Sequence, residues 1–560
     1  MGKPVRSGEP SWAAPAIFVS IVLGLSLLMV RAVWAAHVTA GVDVKVTADN
    51  NNVDGGAPNP GFDSQNRQAN ETAVAISPAN TNIVAVAAND YRMVPAFADA
   101  WVGFYLSANG GGTWFNTMAP GFPSDTSSAG LASPLKGLDG AGDPNVRFDS
   151  SGNLYVAGLA SNRDFDQQDL SNDTVVFVAK YNYTPGSPGG VSTPTSAANP
   201  PNFTYAFTTI VDRGAVGFAI PPGQPFGSAG QFDDKNWMAV DTNPASPCAG
   251  NIYYSFTKFK GLAGAFPIVV SRSTNGGASF SEPAPVSQKG AGGTVQTQGS
   301  NIAVGPNGRV YVSYRTFATN SDPTFAVQVA RSDDCGRHFK APVTAATFSP
   351  MPRQAAGVAF RTPTNSWIAA DDTNSNIAYV AFMALGGGTP NADIFVARST
   401  DGGSSWGAPA KVNDDATSKH QFWPAIGVSN GALHVAWYDF RDSPTPGDPS
   451  AANDVLNVYY ASSNTTGAAY PAFSHNVKVT DVGHQPNCLM FGGGTVAFHG
   501  DYIELAARFD GANHTVHLAW TDNRDVPAAE CDLNPAPGPA SNNVGNRNQN
   551  IYADKLVVAP

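Results

Sequence analysis

Two short motifs alternate along this chain, and few folds can accommodate their alternation. The first is an apolar strand, a turn of Gly, Asn or Pro, and a second strand rich in Val, Tyr and Ala. It appears seven times, over residues 72–89, 145–159, 237–256, 301–314, 367–382, 424–437 and 502–520. The turn chemistry makes each copy a β-hairpin. The second motif is a strand ending in Ser-x-Asp/Asn-x-Gly-x-x-aromatic, complete in Ser399-Thr400-Asp401-Gly402-Gly403-Ser404-Ser405-Trp406. Close copies run from Ser107 to Trp114, Ser273 to Phe280 and Ser332 to Phe339, with a decayed fifth from Ser462 to Tyr470. In such a turn the carboxylate or amide accepts backbone N–H groups, glycine takes a positive φ, and the ring packs back between strands. These Asp and Asn residues are therefore read as turn formers.

The two motifs follow each other at roughly 55 to 90 residues per pair, as expected of four-stranded blades with loop insertions. The predicted fold is all-β: a seven-bladed β-propeller of four-stranded antiparallel blades, with six blades the alternative. Composition agrees, since 57 Gly and 43 Pro against 13% charged residues suit short strands and tight turns better than long helices. The last blade shows one strand after its hairpin, Asn550 to Val558, so the segment from His37 to Val46 is expected to return, supply the missing strand and hide the open edge. This divides the chain into residues 1–35, a closing strand and linker over 36–69, and a propeller over 70–560.

Residues 1–35 read as a signal peptide. Lys3 and Arg6 precede an apolar run from about Ala13 to Val30, and Val33-Trp34-Ala35-Ala36 allows cleavage after Ala35. The rival reading is an uncleaved anchor, because the run approaches the roughly 18 residues that span a bilayer. Either way the rest of the chain is expected outside the cytoplasm, with no other contact with a membrane. Four cysteines without CxxC spacing then favour two disulfides. In a propeller the strand 1–2 and 3–4 turns share one face, and the 2–3 and inter-blade loops share the other. Cys248 and Cys335 fall on the first face of neighbouring blades, and Cys488 and Cys531 on the second, which predicts Cys248–Cys335 and Cys488–Cys531. Asn172-Asp173-Thr174 is a glycosylation sequon where the host modifies exported chains.

The formal net charge of -11 argues against a nucleic-acid partner. Propellers bind ligands at the channel mouth, on the face of the 2–3 and inter-blade loops. Similar clusters follow the second strand of several blades: Asn89-Asp90-Tyr91-Arg92, Asn162-Arg163-Asp164, Tyr314-Arg315, Trp437-Tyr438-Asp439-Phe440-Arg441-Asp442 and Trp520-Thr521-Asp522-Asn523-Arg524-Asp525. Two readings stay open. The arginines could cradle a carboxylate or sulfate, with Trp437 and Trp520 as platforms for a sugar ring, or each Arg could pair with its own Asp and lock a loop to the next blade. A second ring, of Glu71, Asp143, Asp234 and Asp501, begins or precedes the innermost strands and is expected to surround the mouth. Paired carboxylates there suit the acid and base of glycoside hydrolysis; they equally suit loop caps or a structural calcium. No other cofactor is called for. Tyr502 and Glu504 lie at i and i+2, on one face of a strand.

The Ser-x-Asp-x-Gly-x-x-aromatic turns resemble the Asp-box (BNR) repeat of the sialidase superfamily, over most of the chain after residue 70. The resemblance implies a secreted exo-α-sialidase-like glycoside hydrolase that clamps the carboxylate of a terminal acidic sugar with three arginines and uses a Tyr nucleophile activated by Glu. It nominates Arg92, in Tyr91-Arg92-Met93-Val94-Pro95, with Arg441 and Arg524 for the clamp, Asp143 or Asp164 for the acid, and Tyr502 with Glu504 for the nucleophile pair. Tyr91 to Pro95 is one residue longer than the family's Phe/Tyr-Arg-Ile-Pro element and follows a hairpin instead of preceding the first blade. Arg163 and Arg315 are further candidate ligand contacts. HExxH and P-loop motifs are absent, and there is no GxSxG elbow, since the string from Gly403 to Gly407 overlaps an Asp-box turn. The alternative is a non-catalytic propeller for adhesion, envelope scaffolding, or protein or carbohydrate binding.

Overall fold

The computed structural model describes residues 38–48, 68–91, 100–161, 174–193, 195–214, 231–260, 266–287, 296–317, 325–352, 358–386, 391–444, 454–464, 472–491, 496–526, 531 and 548–560. The signal segment and the Asn172 sequon lie outside these residues. Seven antiparallel blades follow one another along the chain, six of four strands and one of five, with a separate two-stranded pair, Leu489–Phe491 and Val496–Ala497, ahead of the last. Their innermost strands are Ala69–Ile76, Gly140–Phe148, Gln231–Val240, Thr297–Val304, Ser366–Ala370, Gln421–Ser429 and Glu504–Phe509. Each packs against the innermost strand of the next blade, and the seventh meets the first, so the ring closes. The outermost strand of blade seven comes from the chain's beginning: Val38–Thr39 and Val44–Lys45 both pair with Asn550–Val558. It is two short pieces, not one run. Between them the chain leaves the ladder, with the Gly41 N–H on Asp554 Oδ2 and Asp43 exchanging hydrogen bonds with Asp481.

The core lies between the sheets and is built from strand residues whose side chains face adjacent blades, with Trp101, Trp423, Trp437 and Trp520 among its largest fully buried side chains. The Ser-x-Asp/Asn turns connect strands three and four of blades one, three, four and five. In the copy from Ser399, the Ser399 hydroxyl donates to Asp401 Oδ1 (2.9 Å) and accepts the Gly403 N–H (2.8 Å), while Asp401 Oδ1 also accepts the Ser405 N–H (2.9 Å). The copies from Ser107, Ser273 and Ser332 repeat this network. In two copies the turn also joins blades: Arg331 of blade four donates to Ser404 Oγ of blade five (2.6 Å), and Arg272 of blade three to the Cys335 carbonyl of blade four (3.0 Å). Cys335 holds the left-handed position (φ 61°) that glycine fills in the other three copies. Its sulfur is bonded to Cys248, and Cys488 is bonded to Cys531, so both pairings read from the faces of the ring are present. The two disulfides are consistent with an extracellular location. Among the described residues no helix is long and apolar enough to cross a membrane.

One irregularity positions everything at the mouth. At the start of the innermost strand, blades one, two, three, four and six each carry a register shift in which one strand holds extra residues: 70/73, 142/145, 234/237, 298/301 and 422/425. Glu71 (φ 60°), Asp143 (φ 50°), Lys235 (φ 54°), Gly299 (φ 69°) and Trp423 (φ 48°) occupy these bulges. A bulge re-aims side chains and ends regular pairing. Only one of the five residues is glycine, so four side chains are held in a strained region of backbone space at one end of the channel.

Candidate functional site

The bulges bring charged residues of neighbouring blades together. The Lys235 N–H donates to Asp143 Oδ2 (2.8 Å), and Asn236 Nδ2 donates to the Asp143 carbonyl (2.8 Å), which ties the start of blade three to that of blade two. Asn89 Nδ2 donates to Glu71 Oε2 (3.0 Å), and Asn89 Oδ1 accepts the Asp143 N–H (3.1 Å), which ties blade two to blade one. Gln298 Nε2 donates to Asp234 Oδ2 (3.2 Å) from blade four. Arg361, just ahead of blade five, grips Asp501 of blade seven with Nε and Nη2 (2.8 Å each), and its Nη2 stands 4.0 Å from Glu71. Below this layer the Lys235 ammonium lies 3.4 Å over the Tyr502 ring, and that ring meets Trp237 edge-on at 5.5 Å.

Crowding and burial set the protonation of the cluster. Burial holds the Glu71 carboxyl well above the usual carboxylate range, and Asp501 and Asp143 push in the same direction against the pull of Lys235 and Arg361. Asp234, half-buried, is pushed up to about 6 by burial and by Asp143. One carboxyl group therefore stays protonated and a second titrates just below neutrality, beside carboxylates that are hydrogen-bonded or ion-paired. Asp143, Asp234 and Arg361 are half-buried, whereas Glu71, Lys235, Asp501 and Tyr502 are buried. No group of three or more His, Cys, Asp or Glu among the described residues is arranged to hold a metal ion.

The four carboxylates nominated as a ring thus share one electrostatic cluster. The rim arginines do not join it. Arg441 donates to Asp439 (2.9 Å), Asp414 (2.9 Å) and Asn476 (2.9 Å) and lies over the Tyr459 ring. Arg524 donates to Asp522 and Asp43 (2.7 Å each) and lies over Tyr552. Of the two readings left open for these loops, locking is the one realised. Trp437 and Trp520 have 0% exposure, and their indole N–H groups donate to Asp439 and Asp522. Neither ring offers a face to a sugar. Arg315 donates to Gln298 Oε1 (3.4 Å) and rests on Phe317, which links it to Asp234 through Gln298. Arg92, Arg163 and Asp164 lie outside the described residues.

The Tyr502–Glu504 pair also takes a different role. Glu504 accepts both Arg147 guanidinium nitrogens (2.6 and 3.2 Å) and the Val74 N–H (2.9 Å). The Tyr502 hydroxyl has no hydrogen-bond partner, and burial with four nearby carboxylates holds its proton far above the normal phenol range. A phenol without a base is a poor nucleophile. Lys235, Arg361 and Arg147 went unnoticed in the sequence. The available signal was position: Lys235 directly follows a nominated carboxylate, Arg361 precedes an innermost strand as Asp501 does, and Arg147 lies within one.

The loop assignment predicts a clean separation of effects. Arg441→Ala should lower unfolding free energy by about 1–3 kcal/mol, because Asp439 loses a charged donor in a buried place. Denaturant melts should report that loss, while affinity for any glycan stays at the parent value. Lost affinity at unchanged stability would return Arg441 to the binding rim.

With blades and mouth defined, the chain is a seven-bladed β-propeller with an acidic channel mouth. No protein-family model matches it, and no curated protein matches it in sequence. Among solved structures it is similar to a protein of unknown function from Dyadobacter fermentans (12% identity, TM-score 0.40, covering 93% of this chain and 99% of that one). It is similar as well to an α-L-arabinofuranosidase from Fusarium graminearum (10%, 0.42, 92% and 97%) and to a Trypanosoma rangeli sialidase (10%, 0.40, 87% and 71%).

Proposed function

We propose that this protein is an exported glycoside hydrolase in which Asp234 is the proton donor and Asp143 the base. The observation that carries the reading is the meeting of two half-buried carboxyl groups from adjacent blades at the mouth, where Asp143 accepts the N–H of the residue next to Asp234. Cleavage of a glycosidic bond needs one carboxyl group that is still protonated and one that is not. Asp234, pushed up to about 6, fills the first role in mildly acidic water. It gives its proton to the leaving oxygen as the bond from the anomeric carbon breaks. Asp143 assists the oxygen that attacks that carbon, and water supplies the new hydroxyl. Glu71, in the same cluster, is held protonated by burial, so the site carries less charge than its four carboxyl groups suggest. The Asp-box resemblance of the turns agrees with this reading at the level of superfamily.

Nitrophenyl and methylumbelliferyl glycosides of L-arabinofuranose, D-galactose and N-acetylneuraminic acid test it directly. Release by the parent at mildly acidic pH, falling to about 1% or less in Asp143→Asn, is the expected result. Binding of a glycan without release of any aglycone would replace the hydrolase with the non-catalytic propeller.

A further inference from the structure

We infer that the channel mouth selects an uncharged sugar, held from below by Lys235 and Tyr502. The inference rests on the reading of the mouth as a glycan site and adds the class of glycan. Two observations carry it. The first is the lack of a spare cation among the described residues. The cations that act on Glu71 and Asp234 there are Lys235 and Arg361, and Arg361 is already closed on Asp501 through two hydrogen bonds. Glu71 keeps its proton through burial, the remaining acids are already enough to match Lys235 and Arg361, and a sugar carboxylate would enter a desolvated space with no cation among the described residues left to receive it. Of the arginines nominated to receive such a group, Arg441 and Arg524 are locked into their own loops, and Arg92 lies outside the described residues.

The second observation is a pair of orphaned donors. Lys235 is 9% exposed and Tyr502 1% exposed, and neither the ammonium nor the phenol has a hydrogen-bond partner. Buried polar groups are nearly always satisfied, so an unsatisfied one calls for a partner that the chain itself does not supply. Here the ammonium lies 3.4 Å over the phenol ring, and the lysine backbone is held in the left-handed region (φ 54°). An ammonium brings three donors on a flexible four-carbon stem, and a phenol brings one. Asp143 and Asp234 of the same cluster add carboxyl oxygens. Donors beside carboxyl oxygens match vicinal sugar hydroxyls, each of which can accept from one group and donate to another. Lys235 and Tyr502 are thus substrate-binding residues that determine specificity, and neither is a nucleophile.

The test uses the full chain and the three glycosides named above, with Lys235→Met and Tyr502→Phe beside the parent. The parent should turn over an arabinofuranoside or galactoside with kcat/KM at least about 100-fold above that for the sialoside. Tyr502→Phe, which removes one unpartnered oxygen and leaves packing intact, should lose about 3- to 10-fold in kcat/KM, with the rise in KM exceeding the fall in kcat. Lys235→Met should lose more. It should also carry activity to higher pH, because the cation that draws the Asp234 proton away is gone. A purely structural lysine would not move that limb. Preference for the sialoside, or parental KM values in both variants, overturns the inference. If the parent hydrolyses nothing, calorimetry with L-arabinose, D-galactose and N-acetylneuraminic acid separates the two claims. Binding of a neutral sugar that is lost in Lys235→Met keeps the inference and removes the hydrolase, whereas no binding of any sugar removes both.

Discussion

Asp234→Asn should lower kcat/KM on the preferred glycoside by about 100- to 10,000-fold, the range that a positioned general acid supplies. The substitution is close to isosteric, and the amide keeps an oxygen for the Gln298 donor. Stability should hold or rise, because burial and the nearby Asp143 carboxylate already disfavour the charged form of Asp234. A drop in activity with an unchanged or higher Tm therefore separates chemistry from folding. The pH profile makes the assignment sharper. A proton donor works only while protonated, so the parental rate should be full below a pH of about 6 and decline as pH rises through that value. The asparagine variant should lose that limb. If its residual rate kept the parental decline, the donor would be another group, and Glu71 is the neighbour best placed to replace it because burial keeps its proton.

How far the sequence reaches can be argued from particular residues. Strand parity assigns each turn to a face of the ring, which is enough to bring Cys248 and Cys335, 87 residues apart, together. The same parity placed Glu71, Asp143, Asp234 and Asp501 at one end of the channel. Parity does not tell whether a side chain there points inward or folds back on its own loop. Trp437-x-Asp439-x-Arg441 contains the chemistry of a sugar site, but the indole N–H and the Arg441 N–H both reach Asp439, so the motif closes on itself. The bulges were equally invisible, since Glu71, Asp143, Lys235 and Trp423 are not residues that announce a left-handed backbone. Those bulges are what turn Lys235 from a solvated charge into the floor of the mouth.

Below that floor, Arg147→Met should be the most damaging single change to the fold, costing about 3–5 kcal/mol near neutral pH because it leaves a carboxylate buried without its cation. The ion pair of Arg147 with Glu504 has side-chain exposures of 18% and 9%, and the Val74 N–H shares the same carboxylate. The innermost strands of blades two, seven and one are thus pinned at one point. Burial already raises the Glu504 carboxyl, and Arg147 is the main force drawing it back down. Without the guanidinium, the folded chain holds the Glu504 proton more tightly than the unfolded chain does. That contribution is then full at low pH and lost as pH rises through the folded-state value, so the variant should regain stability on acidification. The double variant Arg147→Met/Glu504→Gln should recover most of the loss at neutral pH, since removing both charges costs far less than stranding one. Urea titrations of the three proteins at two pH values decide the matter. A single variant within about 0.5 kcal/mol of the parent at neutral pH would show that water reaches Glu504 and that the pin is ornamental. Activity should follow the same order, because Arg147 lies 5.6 Å from the Trp237 ring, and Trp237 supports the Tyr502 ring beneath Lys235.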